Sequence, residues 1–300
     1  MNIKEILSTT VDYFKKYQLR DPRLDAEVLL AHVLNKERIQ LYVNYDLPLK
    51  KEELAEYREL VFRRARQIPV SYLIGKKEFM SLELSISEDV LIPRPETEQL
   101  VEKIIEYCQD NEFIEPNIVD VGTGSGAIAV SLAYYIEKAR VLAVDISEEA
   151  LDIAGSNIEK YELEDRVKAI RGDLLSPLIL LNKNNVDIVV SNPPYIDKIG
   201  MEELSREVKE EPSLALYGGV DGLDYYRKLI PQASRVLKEG GLLALEIGYN
   251  QGKSIRDLFD SCWDSVSVEK DYSGHDRMVF AHFNAQGRAD IRPSGPGDMG

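Results

Sequence analysis

The stretch Ile118-Val119-Asp120-Val121-Gly122-Thr123-Gly124-Ser125-Gly126 decides the fold. Its apolar start reads as a buried strand, its three glycines as a tight turn, and the segment from Gly126 to Lys138 as a helix. Glycine permits positive φ and lets a ligand approach the backbone closely. The spacing is G-x-G-x-G, not the G-x-G-x-x-G of dinucleotide binders. A pyrophosphate needs the helix N-terminus open to an anion. S-adenosylmethionine has no phosphate, and its amino-acid part and ribose sit over such a loop instead. The residues alone leave two other readings open: a turn that serves only packing, and a nicotinamide or flavin site.

Strand and helix alternate from this point on. Strands are expected at Asn117–Val121, Arg140–Asp145, Val167–Gly172, Val186–Ser191, Gly241–Ile247, near Val266–Lys270 and near Arg277–Phe283, with helices at Ser147–Lys160 and Leu223–Leu237. That pattern predicts an α/β fold, a mostly parallel sheet with helices on both faces. The second strand ends in Asp145, 19 residues after Gly126. A carboxylate there can accept from both ribose hydroxyls, or it can cap the helix that begins near Ser147. Asp173, followed by Leu174, ends the third strand and can take an adenine amino group with its neighbouring backbone, or form an Asx-turn before Pro177. The candidate cofactor contacts are therefore Gly122, Thr123, Gly124, Ser125, Gly126, Asp145, Asp173 and Leu174, joined by Asn192.

The fourth strand runs into Ser191-Asn192-Pro193-Pro194-Tyr195. Two prolines fix φ and remove two backbone donors, so the loop presents acceptors: the Asn192 side-chain oxygen and the carbonyls near Pro193. Two fixed acceptors can hold a planar NH2, favour pyramidalisation of its nitrogen and aim the lone pair at a methyl sulfonium. Tyr195 would cover one face of that group and exclude water. Asn192, Pro193, Pro194 and Tyr195 are the expected catalytic residues. A Pro-Pro turn by itself is usually structural; the glycine loop and the acidic second-strand end upstream turn the reading toward amino-methyl transfer.

The chain has 300 residues and a net charge of −15, unevenly spread. Residues 1–75 carry 13 basic and 11 acidic side chains, leaving 24 basic against 41 acidic, a net of −17, beyond Gly75. An acidic segment of that kind repels a phosphate backbone and argues against a nucleic-acid partner. No apolar run approaches the roughly 20 residues of a bilayer span, so no membrane role is expected. Two cysteines, Cys108 and Cys262, make neither a disulfide framework nor a zinc site, and the three histidines show no ligand spacing. A reducing, cytoplasmic setting, no metal and a monomer are expected.

The first 75 residues read as helices: one carrying Ile3, Ile6, Leu7, Val11 and Phe14, one opened by Asp21 as N-cap with Pro22 at N1, and one from Lys50 to Arg66. The last ends in Arg63-Arg64-Ala65-Arg66, read as a solvated helix end or else as a partner patch. Glu78 to Leu91 suggests a short hairpin, and 285–300 a disordered or non-native tail. The division is 1–75 helical, 76–91 hairpin linker and 92–284 catalytic.

With these residues in place, the chain resembles the bacterial peptide chain release factor N5-glutamine methyltransferases. The resemblance rests on Ile68 to Gly75, Val90-Leu91-Ile92-Pro93-Arg94-Pro95-Glu96-Thr97-Glu98, Asp120 to Ala127, Val144 to Ser147, Ser191 to Ile196, Glu211-Pro212, Gly218 to Gly222, Leu245 to Gly248 and Asp276-Arg277, and covers roughly residues 1–283. Asn-Pro-Pro-Tyr alone is shared with adenine-N6 DNA methyltransferases; the Ile-Pro-Arg-Pro-Glu-Thr-Glu segment is far more specific. The resemblance implies S-adenosylmethionine as methyl donor and the glutamine of a release factor's Gly-Gly-Gln loop as acceptor. It also implies a seven-stranded Rossmann-like class I catalytic domain and an N-terminal helical domain that docks the factor. Arg94, Pro95, Glu96 and Thr97 would border the glutamine site, although Arg94 and Glu96 can equally be an interdomain ion pair. Met80-Ser81 departs from the aromatic-glycine pair usual in the family. Two alternatives stand beside this reading: an adenine-N6 DNA methyltransferase, which needs a basic groove that the −17 segment does not supply, and a non-catalytic S-adenosylmethionine-binding protein.

Overall fold

The computed structural model describes residues 1–286. The tail expected over 285–300 lies, past Gln286, outside the described residues. The chain forms two compact units, one of Met1–Lys77 with Ile86–Glu88 and Leu204–Glu211, the other of Glu78–Ser85, Asp89–Glu203 and the residues from Pro212 on.

The first unit holds α1 (Ile3–Lys16), α2 (Pro22–Val33), α3 (Arg38–Val43), α4 (Lys51–Ala65) and α5 (Val70–Ile74). Asn2 caps α1 in a reciprocal box with Glu5, satisfying two backbone donors that the helix leaves open. The apolar stripe Ile3, Ile6, Leu7 and Phe14 buries against Leu29, Leu30, Leu41 and Tyr57. Asp21 precedes α2, and Pro22 stands at N1, but the Asp21 side chain makes no capping bond. The arginine run differs more from its sequence reading. Arg64 is only 3% exposed; it donates to Asp25 at 2.7 Å and to Glu207 at 2.8 Å, so it is an internal ion-pair centre. Arg63, paired with Glu88, and exposed Arg66 are the surface charges of the run.

In the second unit, β1 (Lys76–Phe79, its first two residues belonging to the first unit) and β2 (Leu82–Ser85) form the hairpin. Its two-residue turn, Met80-Ser81, has φ of 49° and 58°, the left-handed pair that hairpin twist requires, here without glycine. The turn is pinned by Glu98, which accepts from Met80 N–H, and by Tyr135, which donates to Met80 O.

The rest of this unit is a seven-stranded sheet of order β5-β4-β3-β6-β7-β9-β8. Its strands are β3 (Asn117–Val121), β4 (Arg140–Asp145), β5 (Val167–Arg171), β6 (Val186–Ser191), β7 (Leu237–Glu246), β8 (Trp263–Lys270) and β9 (Asp276–Phe283). β5 through β7 pair in parallel, while β9 pairs antiparallel with both β7 and β8. Alternate side chains feed opposite faces. Ile188, Val190, Leu242 and Ala244 join one core with α6 (Pro95–Asp110) and α7 (Ala127–Tyr135). Val189, Leu243 and Leu245 join the other with α9 (Asp224–Val236). The α/β sheet with helices on both faces is thus the expected fold. β7 and β8 begin earlier than their apolar pattern suggests, and α6 was not expected at all, although Leu100, Val101, Ile104 and Cys108 carry helical spacing. Both cysteines are buried. No helix among the described residues is long and apolar enough to cross a membrane.

Candidate active site

Sheet register assembles the site. Val121 of β3 lies level with Val144 of β4 and with Ser191 of β6, and Ser191 lies level with Leu245 of β7. The next residues along these strands, Gly122, Asp145, Asn192 and Glu246, therefore leave or end the sheet side by side. This is the switch point of an open α/β sheet, where neighbouring connections diverge and leave a crevice.

Gly122, Gly124 and Gly126 have φ of 72°, 54° and 79°. A Cβ on Gly122 or Gly124 would meet nothing within 4 Å, so the loop is open above these two. At Gly126 it would stand 3.2 Å from Ala154 of α8 (Glu148–Lys160), so this glycine serves helix packing as well. Thr123 and Ser125 are buried: Thr123 Oγ1 donates to Asp120 at 2.6 Å, and the Ser125 carbonyl accepts from Asn157. Burial pushes the Asp120 carboxyl up to about 7 against the bonds from Thr123 and Ala129. Asp145 accepts from Gly124 N–H at 2.8 Å and from Ser147 N–H at 3.0 Å. Capping of α8 falls to Ser147 itself, whose hydroxyl accepts from Ala150 N–H. A carboxylate has about four lone-pair directions, so Asp145 keeps capacity for ribose hydroxyls. The donor set and the open glycine backbone fit S-adenosylmethionine.

Asp173 turns the chain through its backbone carbonyl, which accepts from Ser176 N–H, and Leu174 packs its side chain into the core. Half-buried Tyr225, not singled out from the sequence, lies within the fields of Asp173, Asp224 and Asp145, which add to burial in raising its phenol.

Asn192 stands in a chain of hydrogen bonds. Its Nδ2 donates to Thr97 Oγ1 at 3.1 Å, and Thr97 Oγ1 donates to Glu246 Oε2 at 2.6 Å. Thr97 sits in the first turn of α6, where Pro95 at N1 and Arg94 at the cap start the helix. Glu246 is buried, and burial pushes its carboxyl up to about 7, with Thr97, Arg277 and Arg94 pulling it down and Glu96 pushing it up. Tyr195 is raised by burial and by Glu246, against Arg277 and Arg94. Arg94, Glu96, Tyr195, Glu246 and Arg277 thus form one electrostatic group within the second unit. Gln251 locks the loop: it donates to Tyr195 O at 2.9 Å and accepts from Gly248 N–H at 2.9 Å. Nothing in the sequence around Gln251 signals this role.

Residues 5–75 match the family model described as PrmC N-terminal domain, and residues 115–280 match one described as a methyltransferase domain. A release factor glutamine methyltransferase of Moorella thermoacetica is 42% identical over 284 residues, covering 94% of this chain and 99% of that protein. The chain belongs to the release factor glutamine methyltransferase family. Another member, from Clostridium acetobutylicum, is 39% identical over 94% of this chain and 98% of its own length. A solved methyltransferase from Pyrococcus furiosus, 20% identical, superposes with a TM-score of 0.50 over 74% of this chain and 98% of that one, a likeness of fold. As a family member the chain is a methyltransferase enzyme. The glycine loop and the Asn192 loop leave neighbouring strands of the sheet side by side.

Proposed function

We propose that this enzyme methylates the side-chain amide nitrogen of the glutamine in the Gly-Gly-Gln loop of a peptide chain release factor, with S-adenosylmethionine as donor. The observation that carries the reading is the Asn192 hydrogen bond to Thr97, which ties up the nitrogen edge of the carboxamide and leaves Oδ1 as an acceptor beside the Gly122–Gly126 loop. Gly122 to Gly126 and Asp145 hold the donor, with Asp173 and Leu174 on the adenine side. Asn192 Oδ1 and the Pro193 carbonyl take the two protons of the glutamine NH2, and Pro194 keeps the loop backbone fixed. Held between two acceptors, the nitrogen is turned out of amide conjugation and its lone pair is aimed. Tyr195, its phenol kept neutral by burial, covers the planar group, while Arg94 and Glu96 border it. Bound S-adenosylmethionine supplies an electrophilic methyl: N–CH3 forms as S–CH3 breaks, the sulfur leaves as a neutral thioether, and the amide nitrogen then loses a proton to water. No strong base is needed, because the nitrogen becomes acidic as it is alkylated.

The helical unit, near neutral against an acidic remainder, would dock the release factor. A methylation assay with purified release factor, duplex DNA and free glutamine as parallel acceptors tests the whole reading. Methyl transfer to the release factor alone is expected. Transfer to DNA, or to none of the three, would overturn it.

A further inference from the structure

A carboxamide can sit in its place two ways round, and only one turns the Asn192 oxygen outward. We propose that Thr97 and Glu246 are positioning residues that fix the Asn192 carboxamide with Oδ1 toward the substrate amide. This rests on the reading above that Asn192 receives the glutamine NH2.

The argument is one of counting protons. Thr97 has a single hydroxyl proton and two lone pairs. Its oxygen lies 2.6 Å from Glu246 Oε2 and 3.1 Å from the Asn192 amide. A carboxylate only accepts, so the proton goes to Glu246 and a lone pair is left facing Asn192. Only the NH2 edge of Asn192 satisfies that lone pair. The flipped carboxamide would set oxygen against oxygen with no proton between them, in a buried setting where an unmade bond is costly. The relay is built from three elements: the first turn of α6, the end of β7 and the end of β6. The two strands contribute adjacent residues through the Ser191–Leu245 register.

The relay has a polarity that protonation of Glu246 reverses. A neutral Glu246 can donate to Thr97, which frees the Thr97 proton for Asn192 Oδ1 and permits the inactive orientation. The charged and titratable groups facing Glu246 are Arg277 from β9, Arg94 and Glu96 from the start of α6, Tyr195 after β6 and Tyr226 from α9. Tyr226 also donates to the Glu246 backbone carbonyl at 2.8 Å, which holds the strand end in place. Burial pushes the Glu246 carboxyl up to about 7, which brings the reversal toward neutral pH.

The test compares Thr97→Val and Thr97→Ser in the full chain, with saturating S-adenosylmethionine and release factor, alongside calorimetric titration with S-adenosylmethionine. Thr97→Val is expected to lower kcat by about 10–100-fold, the scale of a misoriented reacting group, with cofactor affinity and the KM for release factor nearly unchanged. Thr97→Ser restores the hydroxyl and should recover most of the rate. A Thr97→Val enzyme as fast as wild type, a loss confined to KM, or a Thr97→Ser enzyme as slow as Thr97→Val would each overturn the relay. If Thr97→Val does not fold, the Glu246→Gln pH profile decides. Wild type is expected to lose kcat toward acid and Glu246→Gln to lack that limb; a limb unchanged in Glu246→Gln refutes the proposal. Wild-type methylation of the release factor is scored separately, so failure of the substrate reading is distinct from failure of the relay.

Discussion

Gly218 lies so close against Pro194 that a side-chain carbon built on it would stand 2.6 Å from the Pro194 carbonyl oxygen and 2.7 Å from Tyr195 Cα. The chain around Gly218 backs the Asn192–Tyr195 loop, with Gly218 N–H donating to Ile196 O and Ile196 N–H donating to Leu216 O. Gly218 is needed here for close approach. Gly218→Ala must push backbone against backbone, and we expect it to destabilise the protein by about 1–3 kcal/mol and to displace the acceptor loop. Urea unfolding and kcat on the release factor check the two effects. A fully active Gly218→Ala enzyme would mean that the loop tolerates movement.

Asp145 carries a prediction on the donor side. The structure gives the cap of α8 to Ser147 and sets Asp145 between Gly124 and the crevice. Asp145→Ala removes the proposed acceptor for ribose and the anchor of Gly124 N–H, and should weaken S-adenosylmethionine binding by about 1–3 kcal/mol. Calorimetric titration of the folded variant measures it; an unchanged Kd would reduce Asp145 to a loop brace.

Each of the two motifs sits at the end of one strand, where a short stretch of sequence is enough to single it out. The links between them cannot be read in this way. Thr97 meets Glu246 across 149 residues, and Gln251 meets Tyr195 across 56. Sheet register makes such contacts, and local spacing does not record it. Arg64 shows the same limit. A basic run at a helix end reads as solvated when the carboxylates that bury it stand 39 and 143 residues away. α6 escaped for another reason: Pro93 and Pro95 look like breaks, yet Pro95 occupies N1, where its missing N–H costs nothing.

Arg64 gives a stability prediction within the helical unit. Arg64→Ala strands Asp25, whose carboxyl burial already pushes up while Arg64 pulls it down. Removing one partner of a buried pair costs about 3–5 kcal/mol, whereas Arg63→Ala, at an exposed pair with Glu88, should cost under about 1 kcal/mol. Urea midpoints of the two variants should differ accordingly; equal midpoints would place Arg64 among ordinary surface charges.

Asp120 gives a pH prediction of stated sign. Its carboxyl is held up to about 7 in the folded protein, above the roughly 3.9 of an unfolded chain. The folded state therefore binds more protons between these values. This contribution to stability is complete below about pH 4 and is lost as pH rises toward 7. Asp120→Asn should lack this loss, gaining on wild type by at most about 1.4 kcal/mol per pH unit across that window. Urea unfolding from pH 5 to 8 reads the gap. Glu246 shifts in the same direction in both proteins, so the comparison isolates Asp120. Curves that stay parallel would show Asp120 ionised throughout.

Asn192 is where the chemistry and the fold can be separated. Asn192→Ala removes the proposed acceptor for the glutamine NH2, and kcat should fall by about 10²-fold or more, roughly 2.7 kcal/mol or greater. The loop should keep its course, because Pro193 and Pro194 set its φ angles and Gln251 still holds Tyr195 O. A modest loss of donor affinity is compatible with this, since Asn192 also stands beside the donor loop. Asn192→Asp is the finer comparison. A carboxylate keeps an oxygen toward the substrate but sets its other oxygen against Thr97, whose proton is committed to Glu246. Aspartate therefore needs a proton on the Thr97 side to imitate asparagine, and its rate should approach that of alanine at high pH. Single-turnover rates at saturating donor and release factor distinguish these cases. Native turnover in Asn192→Ala would remove Asn192 from the reaction. Native turnover in Asn192→Asp at high pH would show that the Thr97 contact does not set which edge of residue 192 faces the substrate.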